Sequence, residues 1–270
     1  MKKIVALTSL IMLVISGFAQ TKTAQYYAEK GNTIGGLGNY KDAIKYFDTA
    51  LSLNPHSKLV YYHRAVSKAM LLDYLDALPD YDMAIAMGER TDESYYNRGV
   101  AKYFLNDFKS AITDFDTCLL MNAKHTNGYL FRGYSKSKLD DYKTAFLDFN
   151  TALKLNPHSS DGYCNRGTCY LNFKNYPAAL TDFNNALKED ATNLLARNGR
   201  SQVKGLMGDF KGALVDLNYI LEKDPKHRQV LYNRMGVRLQ LGDRTGACED
   251  YRRGLTLGEE RNEEWENFCK

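Results

Sequence analysis

Residues 92–125 read DESYYNRGVAKYFLNDFKSAITDFDTCLLMNAKH, and their landmarks return 34 residues away on either side. Tyr95 is answered by Tyr61, Tyr129 and Tyr163, Gly99 by Gly133 and Gly167, and Phe115 by Tyr81, Phe149 and Phe183. Self-similarity at this period points to an array of helix–turn–helix units, each burying its apolar face against its neighbours. Seven copies fit end to end, beginning at Ala24, Lys58, Asp92, Thr126, Ser160, Leu194 and Arg228 and closing at Arg261.

Numbering the phases 1 to 34 within a copy separates the jobs. Phase 20 is alanine in every copy, from Ala43 to Ala247, and phase 28 is always Leu or Ile, from Leu51 to Leu255. Helix A is expected over about phases 2–14 and helix B over about 17–30. Phase 16 is always Asp or Asn, a good N-cap for helix B. Pro55, Pro157 and Pro225 at phase 32 stop helix B before the next copy. Mostly small residues at phases 8, 20 and 27 let the helices approach, and rings at phases 4 and 24 fill the space beside them.

The pattern resembles the tetratricopeptide repeat family, whose motif has small residues at phases 8, 20 and 27, bulky ones at 4 and 24, and often proline at 32. In the fourth copy Tyr129, Gly133, Ala145, Phe149, Ala152 and Pro157 all fall on it. The resemblance covers 24–261 and implies an all-α fold, a right-handed superhelical solenoid of seven repeats with a concave face lined mainly by A helices. Residues 262–270 then read as a C-terminal capping helix and tail, with Trp265 and Phe268 covering the open end.

Some copies depart. The sixth carries Arg197 and Ser201 at phases 4 and 8, and the seventh has Met235 beside Gly236 at phase 8, so looser or shifted packing is expected there. Gly31, Gly35, Gly36 and Gly38 predict a fraying first copy. One departure is systematic. Phase 7, usually aliphatic in the family, is arginine in copies two to seven: Arg64, Arg98, Arg132, Arg166, Arg200 and Arg234. Phase 23, usually aromatic, is aspartate in the same six: Asp80, Asp114, Asp148, Asp182, Asp216 and Asp250. Copy one has Lys30 and Tyr46 instead. Joint absence implies pairing within a repeat, helix A to helix B, and a structural ion pair is favoured over a charged ligand site.

At the N-terminus Lys2 and Lys3 precede an apolar run, Ile4 to Ile15, and Gly17-Phe18-Ala19 ends it. That is the grammar of a secretory signal peptide over 1–19 with cleavage after Ala19, and the run is too short to span a bilayer. The expected location is therefore periplasmic or secreted, with possible envelope association and no transmembrane segment left after cleavage. A formal net charge of +4 without a basic cluster argues against nucleic acid as a partner. Of the five cysteines, Cys164 and Cys169 point to different sides of one helix, and Cys118 sits where most copies carry alanine. Cys248 and Cys269 could bridge if the tail folds back; free thiols are the simpler reading.

No catalytic or cofactor signature is present, so the chain reads as non-enzymatic, with no metal and no cofactor. Four histidines, His56, His125, His158 and His227, fall in the turns between copies and do not form a ligand set. The phases that the resemblance assigns to the groove carry Tyr62, His63, Tyr96, Asn97, Tyr103, Phe104, Phe131, Tyr134, Asn165, Asn198 and Asn233. Rings supply contact area, and an asparagine amide can donate to and accept from a peptide backbone at once. This set suits an extended peptide or protein segment, although several rings could instead pack between A helices. The leading expectation is an exported interaction scaffold. A glycan or cell-wall binder, or an accessory subunit of an envelope or secretion assembly using its convex face, are the alternatives.

Overall fold

The structure is a computed structural model that describes residues 23–258 and 261–270. The leader reading, 1–19, lies outside them. Every regular element among the described residues is a helix: α1 (23–36), α2 (Tyr40–Leu53), α3 (Lys58–Met70), α4 (Tyr74–Ala86), α5 (Asp92–Phe104), α6 (Phe108–Met121), α7 (Thr126–Ser137), α8 (Tyr142–Leu155), α9 (Ser160–Asn172), α10 (Tyr176–Glu189), α11 (Leu194–Leu206), α12 (Phe210–Lys223), α13 (Arg228–Gln240), α14 (Arg244–Thr256) and α15 (Glu263–Phe268). Odd-numbered helices to α13 are the A helices and even-numbered ones the B helices. None is long and apolar enough to cross a membrane.

The chain forms two compact units, Met1–Leu139 and Asp140–Lys270, the division falling between the two helices of the fourth copy. Within each unit the order of packing is the order of the chain. Helix A packs on its own helix B (α3 on α4, α5 on α6; α9 on α10, α11 on α12, α13 on α14), and each B helix packs on the next A helix. Successive A helices also touch, α3 with α5, α5 with α7, and α9 with α11.

One turn chemistry joins the helices of a copy. Phase 15 is left-handed in all seven, with φ from 57° to 84° at Gly38, Leu72, Asn106, Asp140, Lys174, Gly208 and Gly242. This reverses the chain at the end of helix A. In six copies the phase-16 N–H then donates to the phase-11 carbonyl at 2.9–3.2 Å, as Asp107 does to Lys102. The phase-16 side chain caps helix B in six copies, accepting from the backbone three residues on; Asp73 alone makes no such bond. One residue thus closes one helix and opens the next. At the far end of helix B, Asn54, Asn122, Asn156, Asp190 and Asp224 accept from the N–H two residues on, at 2.8–3.2 Å, while copies two and seven turn on Gly88 and Gly258.

The core follows the phases. All seven phase-20 alanines are fully buried, and so are Phe47, Tyr81, Phe115, Phe149, Phe183 and Leu217 at phase 24. Small residues at phase 8 are required by that ring: a Cβ on Gly99 would lie 2.7 Å from Phe115, and one on Gly31 2.6 Å from Phe47. The irregular copies are more regular than expected. α1 continues through Gly31, Gly35 and Gly36 to residue 36. In copy six Arg197 lays its guanidinium 3.7 Å over the Tyr219 ring, filling the space of the missing aromatic. In copy seven Met235 is buried and Gly236 faces open space, so the register is kept.

Candidate functional site

Four charged or amide-bearing phases, 7, 11, 23 and 25, decide first what is structural. Each phase-23 aspartate outside the fourth copy receives both Nε and Nη2 of its own arginine at 2.5–2.9 Å: Asp80 from Arg64, Asp114 from Arg98, Asp182 from Arg166, Asp216 from Arg200, and Asp250 from Arg234. This is the two-pronged geometry that guanidinium and carboxylate planes favour. Arg132 and Asp148 belong to separate units. Each arginine also reaches back one copy with Nη1, to a phase-25 side chain: Arg64 to Asp48, Arg98 to Asp82, Arg132 to Asp116, Arg166 to Asn150, Arg200 to Asn184 and Arg234 to Asn218, at 2.6–3.0 Å. In copies two to five the guanidinium lies 5.4–5.6 Å over the phase-4 tyrosine. A second cation at phase 11 completes the carboxylate's shell: Lys68, Lys102 and Lys204 stand 2.7–2.8 Å from Asp80, Asp114 and Asp216, and Arg238 3.0 Å from Asp250. Phases 11 and 25 were missed as partners, although both recur at the 34-residue period. Among the described residues these groups bond chiefly to one another, with Arg238 Nε buried and without a hydrogen-bond partner, so the network is a structural one.

In the first unit the ring candidates fasten onto one another. Phe131 is the hub, its centroid 5.4–6.4 Å from those of Tyr96, Tyr103, Phe104, Phe115 and Tyr134. Tyr96 also packs on His125 at 4.6 Å, and burial pushes its phenol up to about 12. Burial raises Tyr62 too, against the Asn97 amide that donates to its hydroxyl at 2.8 Å. His63 stacks near Phe47 at 6.3 Å, and burial lowers its pKa. Phe104 lies flat on Tyr74 at 4.7 Å yet stays about half exposed. Asn97 and these rings therefore chiefly join A helix to A helix. His125, the adjacent turn histidine, caps α7 by accepting the Gly128 N–H at Nδ1, 2.9 Å away.

The second unit holds an open groove of about 530 Å³ between α11 and α13, floored by Phe210 and Leu217 of α12. Asn198 and Asn233, two of the three candidate asparagines there, line it with Gln202, Gln229, Gln240 and Tyr232. The third, Asn165, turns its amide onto the Asp161 carbonyl of its own helix at 2.8 Å. Asn233 accepts from Gln229 at 3.1 Å. Asn198 Oδ1 is buried without a protein hydrogen-bond partner among the described residues. Gly205 and Gly236 face open space at the walls, since a Cβ on either would meet nothing within 4 Å. The glutamines were not singled out from sequence, although Gln202 and Gln240 share phases 9 and 13 with Tyr134 and Phe104, which were. Among the described residues no group of His, Cys, Asp or Glu is placed to hold a metal.

Family profiles described as tetratricopeptide repeat match residues 24–57, 92–125, 126–159 and 149–181, the first three coinciding with whole copies of the 34-residue frame. Those four stretches are similar to tetratricopeptide repeats. A solved tetratricopeptide repeat protein from Parabacteroides merdae is similar over 92% of this chain and 98% of its own, at 19% identity and a TM-score of 0.69. YrrB, described as a tetratricopeptide repeat protein with an unusual peptide-binding site, is similar over 63% of this chain and 88% of its own, at 20% identity and a TM-score of 0.58. Both likenesses concern the fold. An uncharacterised Methanocaldococcus jannaschii protein is 34% identical over 50 residues, which are 18% of this chain and 58% of that protein.

Proposed function

We propose that this chain is a non-catalytic interaction scaffold that holds an extended, uncharged peptide segment along the α11–α13 groove. The observation that carries the reading is the open groove itself, whose walls bring together the side-chain amides of Asn198, Asn233, Gln202, Gln229 and Gln240. An amide side chain donates and accepts at once, so a row of them matches the alternating N–H and C=O groups of an extended peptide backbone. Tyr232, 64% exposed at the rim, offers a ring for an apolar side chain, and Gln202, Gln229 and Gln240 offer further amide pairs. YrrB, with its own peptide-binding site, makes a peptide the first class to try. The N-terminal leader grammar places the scaffold outside the cytoplasm in this reading, in the cell envelope or beyond it.

Selection of peptides from a displayed random library against the purified protein tests this. Binders should lose at least tenfold in affinity with Asn198→Leu and with Tyr232→Ala, and be unaffected by Val215→Ser on the exposed side of α12. Binding lost only with Val215→Ser would move the site to the B helices. Retention on peptidoglycan with no peptide selected would favour a glycan instead.

A further inference from the structure

The last helix is held unlike any other. α15 has six residues, none buried, and helices below roughly 12–15 residues are marginal alone in water. Its hold on α14 is a set of discrete tethers. Cys269 is disulfide-bonded to Cys248, their Cα atoms 5.5 Å apart. Trp265 stacks on Tyr251 at 5.8 Å, and the Tyr251 hydroxyl bonds both backbone groups of Asn262 at 2.9 and 3.1 Å. Arg244 and Arg252 of α14 donate to the carbonyls of Phe268 and Cys269 at 3.0 Å.

Counting 34 residues onward from Arg228 makes Asn262 the first phase of an eighth copy, Trp265 its phase 4 and Cys269 its phase 8, the bulky and small positions. α15 thus takes the place of the A helix of a next copy. Beside it lies a pocket of about 700 Å³ whose walls are Tyr232 and Met235 of α13, Tyr251 and Gly254 of α14, and Trp265 itself. Thiol chemistry in the folded protein is confined to this end. Cys118, Cys164 and Cys169 are free but buried, and burial raises each thiol to about 12. Cys248 is 5% exposed in α14, whereas Cys269 sits in the partly exposed tail.

We propose that α15 is a disulfide-latched plug, and that reduction of Cys248–Cys269 by a dithiol releases it and opens the α13–α14 end of the repeat stack. A thiolate of the dithiol attacks Cys269 Sγ, the bond to Cys248 breaks, and Cys248 leaves as a thiolate that takes up a proton. The second thiol of the reductant then displaces Cys269, so two electrons pass from the dithiol to the protein and the reductant ends as a disulfide. Once the bond is cut, ring stacking, the Arg244 guanidinium 4.5 Å over the Phe268 ring and exposed hydrogen bonds remain to order six residues, against their backbone entropy. This device is independent of the groove reading.

Trp265 is the one tryptophan of the chain, so its emission reports on α15 directly. The folded full-length protein is titrated with dithiothreitol while maleimide labelling counts thiols and far-UV circular dichroism follows helicity. Two new reactive thiols, a red shift of Trp265 emission with increased acrylamide quenching, and near-constant helicity are expected. Cys269→Ser, a change in the tail that leaves α14 intact, should show the released emission without reductant. Unchanged emission after both thiols have appeared would overturn the proposal, because α15 would then stay docked by its other contacts. Helicity lost in step with reduction would overturn it as well, since the bond would then be holding the seventh repeat itself. So would two reactive thiols present before any reductant is added.

Discussion

Leu72 is the residue whose backbone and side chain disagree most. It holds φ at 66°, at a phase where three other copies use glycine, and its side chain is 72% exposed. A left-handed non-glycine residue costs roughly 1–2 kcal/mol, and glycine gives part of that back through its freedom in the unfolded chain. Leu72→Gly is therefore expected to stabilise the protein by about 0.5–1 kcal/mol, read as a higher urea midpoint at unchanged slope. A lower midpoint would mean that the leucine side chain contributes packing the structure does not reveal. The left-handed turn could not be seen in the sequence at this position, because leucine does not announce it. Gly38, Gly208 and Gly242, with Asn106 and Asp140, are the residue types at this phase that favour it.

At the scale of helix pairs, the arginine–aspartate bond is one arm of a larger junction. Asp114 is 3% exposed and takes Arg98 and Lys102 together, while Arg98 reaches back to Asp82. Removing Asp114 alone leaves two cations short of a partner, so Asp114→Ala should cost about 3–5 kcal/mol. A double-mutant cycle with Arg98→Ala should give a coupling of at least about 1 kcal/mol; strictly additive losses would show that the two act apart. The pairing was readable from co-occurrence within copies two to seven. Its backward arm was readable too, as a pattern displaced by one copy. Phase 25 is Asp or Asn in copies one to six and turns to Arg252 in the seventh, where no arginine follows to use it. Reading phases only within a copy hides a contact made between copies.

At the scale of the whole molecule, repeat arrays gain stability from each unit and from each junction, so charge networks of this kind act at many places at once. Asp216 ties the second unit to pH. Burial by itself would raise its carboxyl, but hydrogen bonds from Arg200 and Lys204 outweigh that and hold it below the ordinary value. A carboxylate depressed in the folded state contributes fully above the unfolded value of about 3.9 and loses that contribution as pH falls through the folded one. Stability should therefore drop between about pH 5 and pH 2, and Asp216→Asn should flatten that limb while lowering stability at neutral pH. An equally steep acid limb in the variant, measured by urea unfolding at each pH, would assign the sensitivity to other carboxylates.

The 34-residue period by itself determined the helices, their ends and their close contacts, because capping, small-residue and ring positions are local demands repeated seven times. Tertiary structure decided what sequence left open: that Cys248 and Cys269 bond, that Phe131 gathers the first unit's rings into packing, and that Asn198 and Asn233 line an open groove whereas Asn165 does not. These depend on which side chains from different copies meet. A phase specifies the face of a helix, but whether a neighbouring side chain covers that face depends on the sizes of residues one or more turns away in another copy.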